Sequence, residues 1–408
     1  MPEALSIYAR FLRIGLRAFG GPFPQIATLQ QEFVVHEKWT TNARFNRTLA
    51  VYQALPGPEA TEMCVWLGSV RAGRLGGLAA GLGFLTPGTL LVLLAAFLYT
   101  RFGLPPAAAA AMSGAQCAAL ALLFAAVYTL ARHACADSTL WFIAAAAAAT
   151  SLSGMHFSII LVLSTLGGYL TDRGKNWLGF GLIGAMAFFS FMFFLWKLLS
   201  SPEDAPPPLT GPATPADHAA LLDATLTGLK AGLLSFGGAY TAVPFLRDDA
   251  VVMNHWMTHT QFLDGIAIVN ALPTPLVSLA GFVGFVAGGW PAALLMLAAV
   301  YLPAFAVTLI GHQRIERLID NEPLHAALDG AAAGVVGLVA AAAVLMVKPT
   351  LIDGPIPPGA FTPSVSIHWP IKAAIGAAAL LIALRYRPRW LNPALVLIAA
   401  AIGAVLLR

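Results

Sequence analysis

The heptapeptide GLRAFGG at residues 15–21 returns 217 residues later as GLLSFGG at residues 232–238. The pentapeptide ALPGP at residues 54–58 returns at the same offset as ALPTP at residues 271–275. Over the 46 positions that begin at residue 13, sixteen are identical to their counterparts without a gap. This identity is far above chance for two unrelated apolar helices, and it indicates an internal duplication.

The composition is that of a membrane protein. Hydrophobic residues make up 58% of the 408 residues and charged residues only 10%, whereas soluble domains carry about 25% charged residues. A chain this apolar cannot form a water-facing surface, so lipid must cover most of it. The 23 Lys and Arg residues lie in short loops between apolar runs, a pattern typical of cytoplasmic loops. We therefore predict an all-α polytopic membrane protein that contacts lipid and binds no nucleic acid.

Apolar runs of about the length that a spanning helix needs, roughly 17–25 residues, recur along the chain. In the first half they lie near residues 4–20, 45–70, 75–100, 107–131, 139–154, 156–171 and 177–199. In the second half they lie near residues 219–236, 261–288, 290–311, 325–347, 370–385 and 391–407. The stretch between them is rich in proline and lacks Lys and Arg. We predict a first repeat at 1–199, a non-cytoplasmic linker at 200–218 and a second repeat at 219–408.

The basic residues also predict an orientation. If the N-terminus is cytoplasmic and all thirteen segments cross, the loops carrying Arg71, Arg132, Arg173, Arg314 and Arg385 are all cytoplasmic, as the positive-inside rule requires. Seven crossings before the linker make the second repeat inverted relative to the first, as in many secondary transporters. In a second arrangement the first two segments of each half enter the membrane and return without crossing it. This removes two crossings from each half, so the inversion is preserved. We therefore predict roughly 9–13 crossings.

Each half carries two predicted helix breaks, at Phe-Gly-Gly and at Leu-Pro-x-Pro. Helix breaks inside a membrane free backbone N–H groups, and the N-terminus of a half-helix carries about +0.5 of an elementary charge, which suits an anion. We predict that the breaks bind a compact oxyanion near the midplane; the alternative is that they only kink and pack the helices. The candidate binding residues at the breaks are Phe19, Gly20, Gly21, Pro56, Gly57, Gly237, Gly238, Pro273 and Thr274.

Polar side chains near the breaks are further candidates for binding the anion. Arg13 and Lys230 are equivalent and could supply positive charge, or equally could be interfacial side chains that reach the lipid headgroups. The neutral hydrogen-bonding candidates are Gln25, Gln53, Tyr240 and Asn270. Gln53 and Asn270 are favoured because they are equivalent, each three residues before the first proline of its break.

Glu59 and Glu62 follow the first Leu-Pro-x-Pro break, where the second half has two leucines. An ionisable residue inside a membrane costs roughly 2.5–3.5 kcal/mol on insertion scales and is therefore a functional candidate. We predict that these two carboxyl groups form a proton-coupling site; the alternative is that they cap the N-terminus of a helix. A further acid, Asp249, is expected to pair with Arg247.

The motifs of common enzymes and metal sites are missing from the sequence. It contains no HExxH or GxSxG, and its nine histidines are dispersed. We therefore predict no catalytic residue, metal or cofactor. The alternative from another class is a membrane enzyme that acts on lipid phosphates, because Glu59 and Glu62 form an acidic pair within an apolar segment.

These residues together resemble the chromate ion transporter family. In the first half the resemblance rests on GLRAFGGP at 15–22, Gln25, Glu32, Trp39, Phe45 and QALPGP at 53–58. In the second half it rests on GLLSFGGAY at 232–240, Val243-Pro244 and LPTP at 272–275. The resemblance covers essentially the whole chain, and it is to the long, two-domain form of the family. The second half departs from the pattern at Thr274, which replaces glycine, and at Ala239, which replaces proline, so the two breaks are expected to bind differently.

The resemblance implies a secondary transporter of the bacterial inner membrane that exports chromate, driven by the membrane gradient, with sulfate as a chemically similar competitor. It also implies chromate resistance. From the residues alone, the substrate is a compact oxyanion, and another anion stays an open alternative. An inverted repeat permits a functional monomer, and a homodimer is possible.

Overall fold

The structure is a computed structural model that describes residues 2–55, 57–173, 176–199, 218–235, 239–311, 322–352, 366–386, 388 and 390–407. Every regular element in these residues is a helix, which confirms the all-α prediction. Four helices are long and apolar enough to cross a membrane: Glu59–Phe102, Ala108–Ala134, Leu276–Ile310 and His325–Ile352. The predicted linker lies outside the described residues except for His218.

The helices of the first half are α1 (Pro2–Gly15), α2 (Pro22–Gln30), α3 (Asn42–Ala54), α4 (Glu59–Phe102), α5 (Pro106–Ala134), α6 (Ser138–Leu152), α7 (Phe157–Asp172) and α8 (Asn176–Leu199). Those of the second half are α9 (His218–Leu233), α10 (Val243–Arg247), α11 (His259–Ala271), α12 (Leu279–Ala306), α13 (Glu322–Val347), α14 (Trp369–Arg385) and α15 (Leu391–Leu406). α2 and α10 each continue as one π-helical turn, at Gln31–His36 and Asp248–Met253.

The duplication extends to the details of the backbone. α11 begins and ends 217 residues after α3. Before these helices, Lys38 and His255 both have a left-handed backbone, with φ of 54° and 51°. Thr41 and Thr258 then cap α3 and α11 through their hydroxyl groups. Equivalent positions therefore form the same turns in both halves.

α1 and α2 are the two arms of a helical hairpin. Near its open end Arg10 forms an ion pair with Glu37, and Phe11 stacks on Phe33 with ring centroids 4.6 Å apart. The arms are therefore antiparallel. The segment Phe19–Gly21 joins them and lies at the tip of the hairpin.

The first helix of each half is shorter than predicted. α1 ends at Gly15 and α9 at Leu233, so neither helix continues into its Phe-Gly-Gly motif. Gly15 lies against the backbone of Phe84, and Gly232 lies against that of Val300, with no room for a Cβ atom at either position. The close approach needs glycine, and glycine is a poor helix former.

α3 and the first part of α4 form a second hairpin. The rings of Phe45 on α3 and Trp66 on α4 lie 6.4 Å apart between centroids. At the open end, the Arg71 guanidinium carbon lies 5.8 Å from the centroid of the Trp39 ring. The hairpin turns between α3 and α4. The start of α3 and the end of the α4 short arm therefore lie at the same end of the molecule.

α4 and α12 each contain a tight turn that reverses the chain. Ala72 and Gly73 leave helical geometry with φ of −141° and 63°, and Gly288 and Gly289 do so with φ of −159° and 68°. Both turns lie at the boundaries between predicted apolar runs, 45–70 and 75–100 in the first half and 261–288 and 290–311 in the second. Each helix therefore has a short arm before the turn and a long arm after it. The arms are residues 59–71 and 74–102 of α4, and residues 279–287 and 290–306 of α12.

The second half repeats both hairpins. Lys230 on α9 forms an ion pair with Asp249, and Gly265 on α11 lies against Phe282 on α12. The apolar runs at 45–70 and 261–288 therefore do not each form one crossing helix. The chain reverses at each Leu-Pro-x-Pro break, because proline lacks the N–H that would continue the helix. The early segments dip in and return, as in the second arrangement.

The long arms of α4 and α12 are equivalent in sequence but run antiparallel. Phe97, near the end of α4, lies 6.1 Å from Trp290 at the start of the α12 long arm, between ring centroids. Gly81, near the start of the α4 long arm, lies against Phe305 near the end of α12. Equivalent helices in opposite directions mean that the second half is inverted. α8 has no counterpart among the described helices of the second half. This extra helix gives the first half an odd number of crossings, which inversion requires.

The two halves interlock through their terminal hairpins. α5 packs against α14 and α15 of the second half, and α13 packs against α6 and α7 of the first. At the crossing points Gly114 faces Ala399 and Gly403, and Gly330 faces Gly168. Small residues let helix backbones approach closely in a membrane. Each half therefore completes the packing of the other.

The substitution Gly114→Val should destabilise the protein, because a Cβ at this position would collide with the Ala399 carbonyl. Overpacking of this kind costs about 1–3 kcal/mol, measurable as a lower Tm in detergent. Gly184→Val on α8 is the matched control, since nothing lies within 4 Å of a Cβ at that position. Equal Tm values for the two variants would contradict the interlocked packing.

Candidate functional site

Hairpin tips from the two halves meet in the interior of the molecule. The backbone N–H of Gly57 donates a hydrogen bond of 2.6 Å to the carbonyl oxygen of Ser235. A Cβ at Gly21 would lie 3.8 Å from the Tyr240 ring. The segments that the sequence singles out as helix breaks are therefore gathered between the two inverted halves. Pro56, Gly237 and Gly238 lie outside the described residues.

The Leu-Pro-x-Pro tip of the second half rests on the long arm of α4. Thr274 and the Pro273 carbonyl lie against Gly88, which has no room for a Cβ. The Thr274 hydroxyl donates a hydrogen bond of 2.6 Å to the Ser278 hydroxyl, which lies 2.7 Å from that of Tyr301. Thr274 therefore anchors this tip through its side chain, and its backbone N–H donates a hydrogen bond of 2.9 Å to the Leu272 carbonyl oxygen.

The Phe-Gly-Gly tip of the first half has a backbone that favours glycine. Gly20 and Gly21 have φ of 89° and 85°, in the left-handed region where other residues are strained. Phe19 is partly buried beside them. The Gln25 side-chain amide donates a hydrogen bond of 2.9 Å to the Ala18 carbonyl. Gln25 therefore holds the tip in shape instead of offering its donor to an anion.

A neutral polar cluster lies beside the tips of the second half. The Tyr240 hydroxyl donates a hydrogen bond of 3.2 Å to the Asn270 carbonyl oxygen. The Asn392 amide donates to the Tyr240 oxygen at 3.2 Å and lies 3.4 Å from the Asn270 oxygen. Tyr240 and Asn270 were both predicted as binding residues, and the structure brings them together.

Asn392 is a residue of this cluster that sequence reasoning missed. It lies near the start of α15, about 120 residues after Asn270 in the chain, and outside both repeated motifs. The one signal available was a lone amide in an otherwise apolar segment, since polar residues in membrane segments are functional candidates. Its position in the cluster follows from the packing of the terminal hairpin, which the sequence does not specify.

A cavity of about 520 Å³ leads to this cluster. It extends along α2 from Pro22 to Gln31 and along α5 from Leu122 to Leu130. Its inner end is lined by Gly20, Tyr240 and Asn392. Of its lining residues, the exposed Gln31 and Tyr386 lie toward the end of the molecule where α5 closes with Arg132. The cavity therefore runs from the tips toward this arginine-bearing end.

Glu59 and Glu62 are fully enclosed below the first Leu-Pro-x-Pro tip. The carboxyl group of Glu62 lies directly under Gly57, and neither of its oxygens has a hydrogen-bond partner among the described residues. Glu59 is hydrogen-bonded to Gln53. A buried carboxylate without donors costs several kcal/mol or more, so Glu62 is protonated in this state. With both oxygens unbonded, Glu62 does not cap the helix by a hydrogen bond.

The two predicted cations have different surroundings. Lys230 forms an ion pair with Asp249, which also accepts a hydrogen bond of 2.8 Å from Thr227. The expected pairing of Asp249 with Arg247 is therefore wrong: Asp249 faces α9, and Arg247 lies 3.5 Å from the His259 ring nitrogen. The charge of Lys230 is compensated within its own hairpin. Arg13 is exposed on α1 and forms no ion pair with the described residues.

Comparisons with known proteins point to one family. The family model described as chromate transporter matches residues 5–170 and 222–405, one stretch in each half. A chromate transport protein of Pseudomonas aeruginosa is 43% identical over 346 residues, which covers 85% of this chain and 81% of that protein. A chromate transport protein of Cupriavidus metallidurans is 27% identical over 350 residues, with 85% and 83% covered. No solved structure gives a significant match.

The substitution Glu62→Gln is expected to change the free energy of unfolding by less than about 0.5 kcal/mol, because an amide closely resembles the protonated carboxyl group. The Tm should therefore stay nearly unchanged. Asp249→Asn should instead lower the stability by about 2 kcal/mol, because it removes the partner of a partly buried lysine. Thermal unfolding of both variants in the same detergent measures the difference. A large loss for Glu62→Gln would mean that Glu62 is ionised and paired.

Proposed function

Because the chain belongs to the chromate transporter family, a family of transporters and not of enzymes, we propose that it exports chromate across a bacterial inner membrane. The proposal is supported by one observation above others. The tips of two inverted halves converge at the inner end of a cavity of about 520 Å³. A midplane site between inverted repeats is where secondary transporters bind their substrate.

The proposed site binds a tetrahedral dianion mainly through neutral donors. Gly20, Gly21 and Gly57 offer close access to the backbone, and Pro273 lies at the facing tip. Pro56 and the glycine pair 237–238 belong to the proposed site by sequence and lie outside the described residues. The side-chain donors are Tyr240 and Asn270, to which we add Asn392. In the structure these donors bond one another, and an oxyanion would replace those bonds with charge-assisted ones, which are about twice as strong. Arg13 adds a long-range positive potential.

Transport is proposed to proceed by alternating access. One repeat rocks against the other and opens the site first to one side and then to the other. By the positive-inside rule, the arginine-bearing end that the cavity reaches is cytoplasmic, as is the N-terminus. The structure then corresponds to the state that collects chromate from the cytoplasm. A single chain holds the whole site, so a homodimer is not required.

Glu59 and Glu62 are proposed to couple transport to the proton gradient. Glu62 lies under the Gly57 tip without a hydrogen-bond partner among the described residues. A dianion at that tip would favour the protonated carboxyl, so the anion and one proton should bind cooperatively and leave together. The pair carries one net negative charge outward, so the membrane potential, negative inside, would drive export while the pH gradient opposes it. The second half has leucine at both equivalent positions, so coupling would act through the first half alone.

Uptake of labelled chromate into inverted membrane vesicles tests the proposed export. We expect accumulation that saturates with chromate, is reduced by sulfate and is lost when the membrane potential is dissipated. A competition series with sulfate, molybdate and phosphate on the purified protein addresses the alternative of another anion. Absence of chromate uptake and binding in both experiments would refute the proposal.

The substitutions Tyr240→Phe and Asn392→Leu should each raise the KM for chromate about tenfold or more, because a hydrogen bond to a charged group contributes about 1.5–3 kcal/mol. The measurement is initial uptake over a range of chromate concentrations. Tyr386→Phe, at another wall of the cavity, is the matched control and should leave KM unchanged. Unaltered KM in Tyr240→Phe and Asn392→Leu would remove these side chains from the site.

Glu62→Gln should transport chromate without an accompanying proton, because the amide cannot exchange one. The measurement is the ratio of internal to external chromate at steady state, with and without an imposed pH gradient. The parent ratio should change with the pH gradient, and that of Glu62→Gln should not. Equal responses would show that coupling lies elsewhere.

A further inference from the structure

A second buried acid bridges the two halves outside the chromate site. Asp264 on α11 is 2% exposed. Its carboxylate accepts a hydrogen bond of 2.7 Å from the Tyr99 hydroxyl on α4 and one of 2.6 Å from the Gln116 amide on α5. Among the described residues no Lys, Arg or His forms an ion pair with it. One carboxyl group of the second half is thus held by two donors of the first half.

This bridge lies at the end of the molecule opposite the mouth of the cavity. Tyr99 is three residues from the end of α4, and 25 residues after Arg74 at the start of the long arm, which is roughly 37 Å of helix. The cavity mouth lies at the end where that arm begins, with Gln31 and the end of α5. The bridge therefore closes the side of the molecule to which the site is not open.

The equivalent helices α3 and α11 differ in how far they are covered. α11 buries eight of its thirteen residues, whereas α3 exposes most of its polar face, including Arg44 and Arg47. Arg47 is the counterpart of Asp264 at the offset of 217. The two inverted halves are thus in different states, with the hairpin of α11 clamped and that of α3 free on one face.

We propose that Asp264 is a proton-binding site that latches the far side of the transporter. The ionised carboxylate accepts both hydrogen bonds and holds α11 against α4 and α5. A proton taken up from the far aqueous side removes the charge of the carboxylate. The two charge-assisted hydrogen bonds then become bonds between neutral groups, which are about half as strong, and the latch weakens. The α11 hairpin then opens the site to that side, and loss of the proton closes it. This inference rests on the proposed alternating access.

The surroundings leave Asp264 as the group that responds to the proton. Three elements packed against α11 carry other titratable side chains. On α4 and α5 these are Arg101, two residues after Tyr99, and Cys117, which follows Gln116; the turn after α13 carries Lys348. α11 itself carries His259. Only Tyr99 and Gln116 act on the carboxylate in addition to its burial.

The proton dependence of the latch can be tested with purified protein in proteoliposomes. Chromate transport by the parent is expected to vary with the pH on the far side. Asp264→Asn should transport at a rate that no longer depends on that pH. Tyr99→Phe removes one donor to the charged form, so its pH midpoint should move upward, by about one unit if the bond is of ordinary strength for a charged acceptor. Asp223→Asn, an exposed acid on α9, should keep the parent profile.

Hydrogen exchange of the α11 amides separates this inference from the proposed function, because it needs no substrate. In the parent, exchange should accelerate as the pH falls through the transport midpoint, and in Asp264→Asn it should be fast at every pH. If Asp264→Asn is unstable, Tyr99→Phe alone decides the matter. A parent-like pH profile together with parent-like exchange in either variant would overturn the latch. If chromate uptake failed while hydrogen exchange of α11 still depended on pH, chromate would be refuted as the substrate and the latch would stand.

Discussion

The structure depends on one constraint, which is that every backbone polar group inside a membrane must find a partner. Each half begins with helices that stop midway and turn back, so each tip exposes N–H and carbonyl groups. The hydrogen bond from Gly57 to Ser235 shows how this is resolved, because the tip of one half satisfies the tip of the other. Inversion is what allows tips that start from opposite ends of the molecule to meet.

The site that results is held together by neutral groups and not by fixed charges. Lys230 is compensated by Asp249, and the hydroxyl and amide groups at the tips bond one another until a ligand replaces them. As proposed, a site of this kind would bind an anion without trapping it, which a carrier needs more than a receptor does. The asymmetry between Glu62 in one half and leucine in the other distinguishes the two halves of the two-fold architecture.

Much of this could be predicted from the sequence, because the duplication repeats the residues that form turns. The two breaks, the Gly288–Gly289 turn and the inversion all follow from local chemistry and from the number of segments. The sequence left open whether 45–70 crosses or folds back on itself, because one apolar run serves equally for a crossing helix and for two arms of a hairpin. It also misassigned the partner of Asp249 and missed Asn392. Both depend on which helices become neighbours, and a single sequence does not specify that.

The exchange of terminal hairpins between the halves has a consequence for how the protein is made. α5 ends at residue 134, but α15, which covers it, begins only at residue 391. Contacts so distant in sequence are slow to form, so the first half must wait in the bilayer, partly uncovered, while the second half is inserted. A chain that lost α15 would therefore lose the packing of α5 in its first half. Two halves synthesised separately would have to find each other before either could mature.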